Sequence, residues 1–250
     1  MGAHASADFT PDPPRADLDR NGNPMAAAKS SNTNWFVIGV SAAVVVVLAV
    51  LAFVVVLLNN QATDPGTAPS SDIVNQETGA ISFGSGEDEI DTYVDFMCPI
   101  CGQFEDAYGE QLQTAAANDE ITLNIHPISI LDRASQGTEF STRAANSMYC
   151  VATEAPDSAL DYFNLLFANQ PEENTTGLTD DQLIDLATQA GADAAAECIT
   201  DGTYSRFVAA RTDETPVDPA TGRFGTPTVA INGDRIDNAD IQTEFSKILG

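Results

Sequence analysis

Apolar and polar positions along this 250-residue chain fall into three regimes. From Phe36 to Leu58 the sequence is apolar and uncharged for 23 residues. As a helix at about 1.5 Å per residue it would run roughly 34 Å, enough to cross a hydrocarbon core of about 30 Å. The flanking segments, 1–35 and 59–78, carry no periodic apolar pattern and are rich in Pro, Asn, Asp, Thr and Ser. They predict a disordered tail and a flexible linker. From 79 to 250 short apolar stretches alternate with helix-spaced ones, and one folded unit is expected there.

Within that unit Ile121, Leu123 and Ile125 alternate with Thr122, Asn124 and His126, the pattern of a strand with one buried face. Further strands are predicted near 80–83, 90–96 and 227–231. Asn232-Gly233 directly after Thr228-Val229-Ala230-Ile231 marks a tight hairpin. Phe104, Tyr108 and Leu112 share one face of a helix, and Ile241 and Phe245 share one face of a closing helix over 240–249. Between these lies an insertion, about 132–222, with helical patterns at 144–151, 159–167, 180–190 and 203–211. Thr179 and Gln182 have capping-box spacing at the start of the third. The order is β-α-β, insertion, β-β-α, an α/β class.

Charge changes the picture outside the span. The chain carries −27, and 33 acidic against 7 basic residues follow Leu58. A basic nucleic-acid footprint is absent, and anionic lipid headgroups repel such a surface within a Debye length of about 8 Å. Arg15, Arg20 and Lys29 precede the span, and no Lys or Arg follows until Arg133. The positive-inside rule then puts the amino terminus in the cytoplasm and the folded unit outside a cell membrane, on a single-pass anchor. A cleaved signal peptide is the rival reading, but Asn60-Gln61-Ala62 is a poor cleavage site.

All four cysteines follow the span. In an oxidising compartment an even count leaves no orphan if they pair 98–101 and 150–198. Cys98-Pro99-Ile100-Cys101 ends a strand-like run just as a helical pattern begins. That puts Cys98 at an exposed helix N-terminus, where unpaired N–H groups favour a thiolate. Cys101, one turn on, is the resolving partner for thiol–disulfide exchange. Cys150 and Cys198 read as a structural staple, whose closure would remove about 4 kcal/mol of unfolded-state entropy. With one C-x-x-C motif, no metal site is expected, and no cofactor.

The segment from Thr92 to Glu105 resembles the active-site strand and helix of DsbA-like disulfide oxidoreductases. Gly225-Thr226-Pro227-Thr228-Val229 resembles that family's second signature. The resemblance covers about 79–250 and is similar to membrane-anchored forms in actinobacteria. It implies a thioredoxin fold with an inserted helical domain, which the span at 36–58 would precede as one transmembrane helix. It also implies a cis Pro227 facing the dithiol, with Thr226 and Pro227 docking substrate. Reduced exported polypeptides would be the substrates, and a quinone-linked reoxidant of the DsbB or vitamin K epoxide reductase type the membrane partner. Ile100 stands where strong oxidants of the family often carry His. Thr92 stands where many bury an acidic residue, and strand alternation puts Asp91 and Asp95 on the opposite face. A milder oxidant is therefore expected. The alternatives are a reductase or isomerase kept reduced, and a non-catalytic module that binds extended segments.

Overall fold

A computed structural model of the chain describes residues 35–62 and 65–249. It divides into two units at the 61/62 boundary. The first contains helix α1 (Trp35–Ala62), whose backbone includes the expected span 36–58. Its side chains are described at Val40 and over 44–56, and all are exposed. Among the described residues no helix is long and apolar enough to cross a membrane. The predicted span therefore extends beyond the side chains described, and the predicted tail lies outside them.

The second unit is built on a five-stranded sheet of order β1-β3-β2-β4-β5. In chain order, β1 (Ile81–Phe83) and β2 (Asp88–Val94) lead into α2 (Pro99–Phe104) and α3 (Glu110–Ala117). One π-helical turn, Glu105–Gly109, joins the two helices. Then β3 (Ile121–Pro127) pairs parallel with β2 and antiparallel with β1. After the insertion, β4 (Thr228–Ile231) pairs antiparallel with β2, and β5 (Asp234–Ile236) with β4. Asn232 and Gly233 turn the hairpin with φ of 52° and 84°, which a two-residue turn matched to strand twist requires. Helix α9 (Ile241–Ile248) closes the chain with Ile241 and Phe245 buried. Phe245 meets the edge of Tyr108, so the closing helix packs on the helix that follows the cysteines.

The insertion holds α4 (Phe140–Glu154), α5 (Ala159–Ala168), α6 (Asp180–Gln189), α7 (Ala196–Asp201) and α8 (Ser205–Asp213). Thr179 and Gln182 form the expected reciprocal capping box at α6. The insertion is not a separate globule. Phe96 of the thiol-bearing segment contacts the rings of Phe163 and Phe167 on α5 at 5.9 and 5.2 Å. One continuous buried cluster runs from the sheet into α4 and α5.

The segment expected as a flexible linker behaves differently over its second half. Pro69 and Val74 are buried, and Val74 bridges Ile81. The Tyr149 hydroxyl donates to the Gly79 carbonyl at 2.7 Å. Residues 65–78 thus belong to the second unit, whose packing starts before the predicted 79.

Candidate active site

Strand β2 ends at Val94, and a turn over Asp95-Phe96-Met97 delivers the chain to Cys98. Cys98 is the N-cap of α2, with extended backbone (φ −79°, ψ 114°), and Pro99 takes the first helical position. Proline suits that position, because its missing N–H would have no partner there and its φ is already helical. Since β4 runs antiparallel beside β2, its start lies next to the end of β2. Thr226-Pro227, a cis peptide, reaches the dithiol this way. The Cys98 thiol donates to the Thr226 carbonyl at 3.5 Å.

Both thiols are free, and their surroundings differ. Cys98 is 6% exposed and Cys101 is wholly buried. Cys98 is therefore less open than its position at a helix start suggests, with the Thr226 carbonyl against its sulfur. Its pKa falls from 9.0 to about 6, chiefly because the Cys101 thiol donates to its sulfur. The Thr226 side chain and the N–H groups of Cys101 and Ile100 add to this, and burial opposes it. The Cys101 thiol is pushed well above its ordinary value, first by burial and then by the neighbouring Cys98 sulfur. Thus one sulfur is poised as a thiolate and the other holds its proton. Ile100, between them, is 51% exposed, and Phe224, two residues before Thr226, is 36% exposed.

Two residues outside the sequence expectation contribute. Asp95 was placed on the face away from Thr92 by alternation, but β2 stops one residue earlier and Asp95 turns inward, fully buried. Its carboxylate accepts the Met97 N–H at 2.9 Å, the Ser141 hydroxyl at 2.7 Å and the Leu131 N–H at 2.9 Å. Burial raises its pKa to about 6, against the pull of those three donors. An Asp two residues before an N–H it can accept is a turn signal that alternation hides. The other is Gln170, whose side-chain amide donates to the Cys98 carbonyl at 2.9 Å. Nothing in the sequence pattern marks it.

Thr92 is 1% exposed, so a neutral hydroxyl occupies that buried position. Cys150 and Cys198 form a disulfide joining α4 to α7, both within the insertion. His126, which alternation puts on the face opposite Ile121, Leu123 and Ile125, is nonetheless 3% exposed. It pairs with Asp91 at 2.8 Å and stacks on Tyr93 at 4.1 Å between ring centroids, as the β2–β3 register dictates.

Comparison with known proteins gives a consistent picture. The family described as Thioredoxin matches residues 84–250. The chain is similar to the crystal structure of oxidised DsbA from Mycobacterium tuberculosis, at 28% identity and a TM-score of 0.58, covering 68% of this chain and 93% of that one. The reduced disulfide bond oxidoreductase DsbG of the same organism matches at 27% identity and a TM-score of 0.56, covering 76% and 91%. MdbA of Corynebacterium diphtheriae, a thiol-disulfide oxidoreductase, shares the fold at 23% identity and a TM-score of 0.59, covering 76% and 98%. Among curated proteins, the serine/threonine-protein kinase PknE of Mycobacterium tuberculosis is 31% identical over 169 residues, 64% of this chain. The match spans 29% of the length of that kinase.

Proposed function

The chain belongs to the thioredoxin family, as a DsbA-like thiol–disulfide oxidoreductase, and from that premise we propose that it introduces disulfides into exported polypeptides through Cys98 and Cys101. A substrate thiolate attacks the Cys98 sulfur of the oxidised pair, forming a mixed disulfide and expelling the Cys101 thiolate. A second substrate thiolate then attacks the substrate sulfur of that bond and expels Cys98. Two electrons and two protons leave the substrate, and the enzyme ends as a dithiol. A membrane partner that passes those electrons onward would restore the disulfide.

The observation that carries the direction is the depressed Cys98 pKa of about 6. A stable thiolate stabilises the reduced enzyme, and so makes its disulfide the stronger oxidant. Exposed Ile100 and Phe224 offer apolar contacts to an extended segment docking beside Thr226 and Pro227. The charge-free run from Phe36 to Leu58, with Arg15, Arg20 and Lys29 before it, supports an anchor that holds the folded unit on the outer side.

The second reading, a reductase or isomerase kept reduced, draws on Ile100 in place of a cationic stabiliser. The reduction potential decides between them, together with the redox state of Cys98–Cys101 in intact cells probed by a membrane-impermeant alkylating reagent. The oxidase reading expects a potential well above the roughly −270 mV of thioredoxin and a mostly oxidised pair. A mostly reduced pair outside the membrane would sink it, and a pair unreachable by the reagent until lysis would sink the outward orientation. Cys98→Ser should abolish disulfide formation in a reduced substrate while leaving its binding intact. Disulfide formation unchanged in Cys98→Ser, with binding intact, would favour a non-catalytic module.

A further inference from the structure

We infer that Gln170 is a positioning residue for the dithiol, the point at which the helical insertion grips the first turn of the active-site helix. The inference rests on the exchange chemistry proposed above. Gln170 follows the end of α5, and its backbone N–H donates to the Phe167 carbonyl at 3.1 Å. Phe167 in turn packs on Phe96, two residues before Cys98. The end of α5 and the residues just after it therefore hold both sides of the thiol-bearing turn, with the Phe167 ring on Phe96 and the Gln170 amide on Cys98.

The amide has two contacts of different kinds. Its Nε2 donates to the Cys98 carbonyl at 2.9 Å, and that oxygen also accepts the Gly102 N–H at 3.2 Å, the bond that closes the first turn of α2. Its Oε1 lies 2.5 Å from where a β-carbon on Gly102 would stand. Real β-carbons do not approach other atoms so closely, so the bare backbone at Gly102 makes room for the amide. Gln170 and Gly102 are thus a matched pair, one reaching across and the other leaving space.

The consequence falls on Cys98. No side chain makes a capping hydrogen bond at the start of α2, so the Gln170 contact to the Cys98 carbonyl is the side-chain bond that steadies its first turn. The N–H groups of Ile100 and Cys101, which favour the thiolate, belong to the same turn. A donor on the Cys98 carbonyl also draws negative charge from the oxygen of the residue that must carry the thiolate. Gln170 acts through this backbone, its amide on the Cys98 carbonyl rather than on the sulfur.

The test uses the 250-residue chain in detergent, with Gln170→Ala, Gln170→Glu, Gly102→Ala and the Gln170→Ala/Gly102→Ala double variant. The readouts are the pH midpoint of Cys98 alkylation by iodoacetamide and the equilibrium of the pair with glutathione. Gln170→Ala should raise the midpoint and shift the glutathione equilibrium several-fold towards the oxidised protein. Gln170→Glu keeps the shape, so a folding defect is not expected, and a carboxylate facing the carbonyl should shift both readouts further. Gly102→Ala should reproduce Gln170→Ala by expelling the amide, and the double variant should be no worse than either single one. Unchanged readouts in Gln170→Ala and Gln170→Glu, or additive effects in the double variant, would overturn the inference. A wild-type chain that does not exchange with glutathione at all would instead overturn the functional reading beneath it.

Discussion

Cys98 and Cys101 are separated by one helical turn and titrate in opposite directions, which makes the reduced protein's stability depend on pH in a signed way. Cys98 has a pKa of about 6 in the fold against 9.0 unperturbed. Between those values the unfolded chain binds more protons, so this contribution to stability grows as pH rises from about 6 to 9 and is lost as pH falls through 6. Cys101, raised, adds no slope until pH approaches 9. Asp95 has the opposite sign, since its raised pKa means stability lost as pH rises through about 6. It is present in both redox forms and cancels to first order in their difference. The Tm of the reduced form minus that of the oxidised form should therefore climb between pH 6 and 8, by calorimetry on both forms. A flat difference would contradict the depressed thiol. Asp95→Ala should lower stability by roughly 3 kcal/mol, because two backbone N–H groups and the Ser141 hydroxyl lose their acceptor at once. Urea unfolding of the variant measures this, and a change below about 1 kcal/mol would mean water replaces the carboxylate. The cysteine pair was legible in the sequence from its spacing alone. Asp95 and His126 were not, because a period of two assigns faces only while a strand lasts, and a face opposite the core in one layer can be covered by the next.

Elements were more legible than contacts between them. The hairpin at Asn232-Gly233 and the capping box of α6 follow from local chemistry, and both stand where the pattern puts them. Thr179→Ala should cost about 1 kcal/mol, read from urea unfolding, and an unchanged midpoint would mean that the cap is replaced by solvent. Helix α7 carries Cys198 as a helical segment should, but its six residues are too few for a 3.6-residue period to fix its bounds. The π turn Glu105–Gly109 was missed for a different reason. The apolar spacing of Phe104, Tyr108 and Leu112 satisfies an α-helix, and one wider turn leaves no mark in it. Residues 65–78 read as a linker because they are polar, yet backbone bonds such as Ser82 N–H to the Ile73 carbonyl at 2.8 Å need no apolar pattern. The Cys150–Cys198 disulfide acts at this scale too, tying α4 to α7. Replacing both cysteines by Ala should lower stability by about 2–5 kcal/mol while exchange at Cys98 continues. Loss of exchange in a folded double variant would give the second pair a redox role.

At the scale of the whole molecule, hydropathy gave the strand sequence but not the sheet order, since neighbours in a sheet are chosen by pairing over long separations. The order β1-β3-β2-β4-β5 matters because it makes β2 central and brings Thr226, 128 residues away in sequence, against Cys98. Only the paired signatures around Cys98 and Pro227 pointed to that meeting. Charge is the other global property. At −27, the chain should draw cationic substrates by long-range attraction and slow anionic ones. The oxidation rate of a reduced basic peptide should fall as salt rises from low to physiological concentration, and that of an acidic peptide should rise. Equal salt responses for the two peptides would show that the field does not reach the active-site mouth.

The complete burial of Cys101 has a practical corollary. On the exchange proposed for this site, a client protein should be joined to the enzyme at one sulfur only, so every covalent complex should carry the same regiochemistry. Replacing Cys101 by Ser leaves Cys98 as the sole point of attachment and removes the thiol that would cut the client loose. If Cys98 is first capped with glutathione, the variant can exchange that cap once for a client thiol and then stall. Fishing with such a stalled bait, and sequencing what is hooked, would give a census of the proteins whose thiols exchange at Cys98.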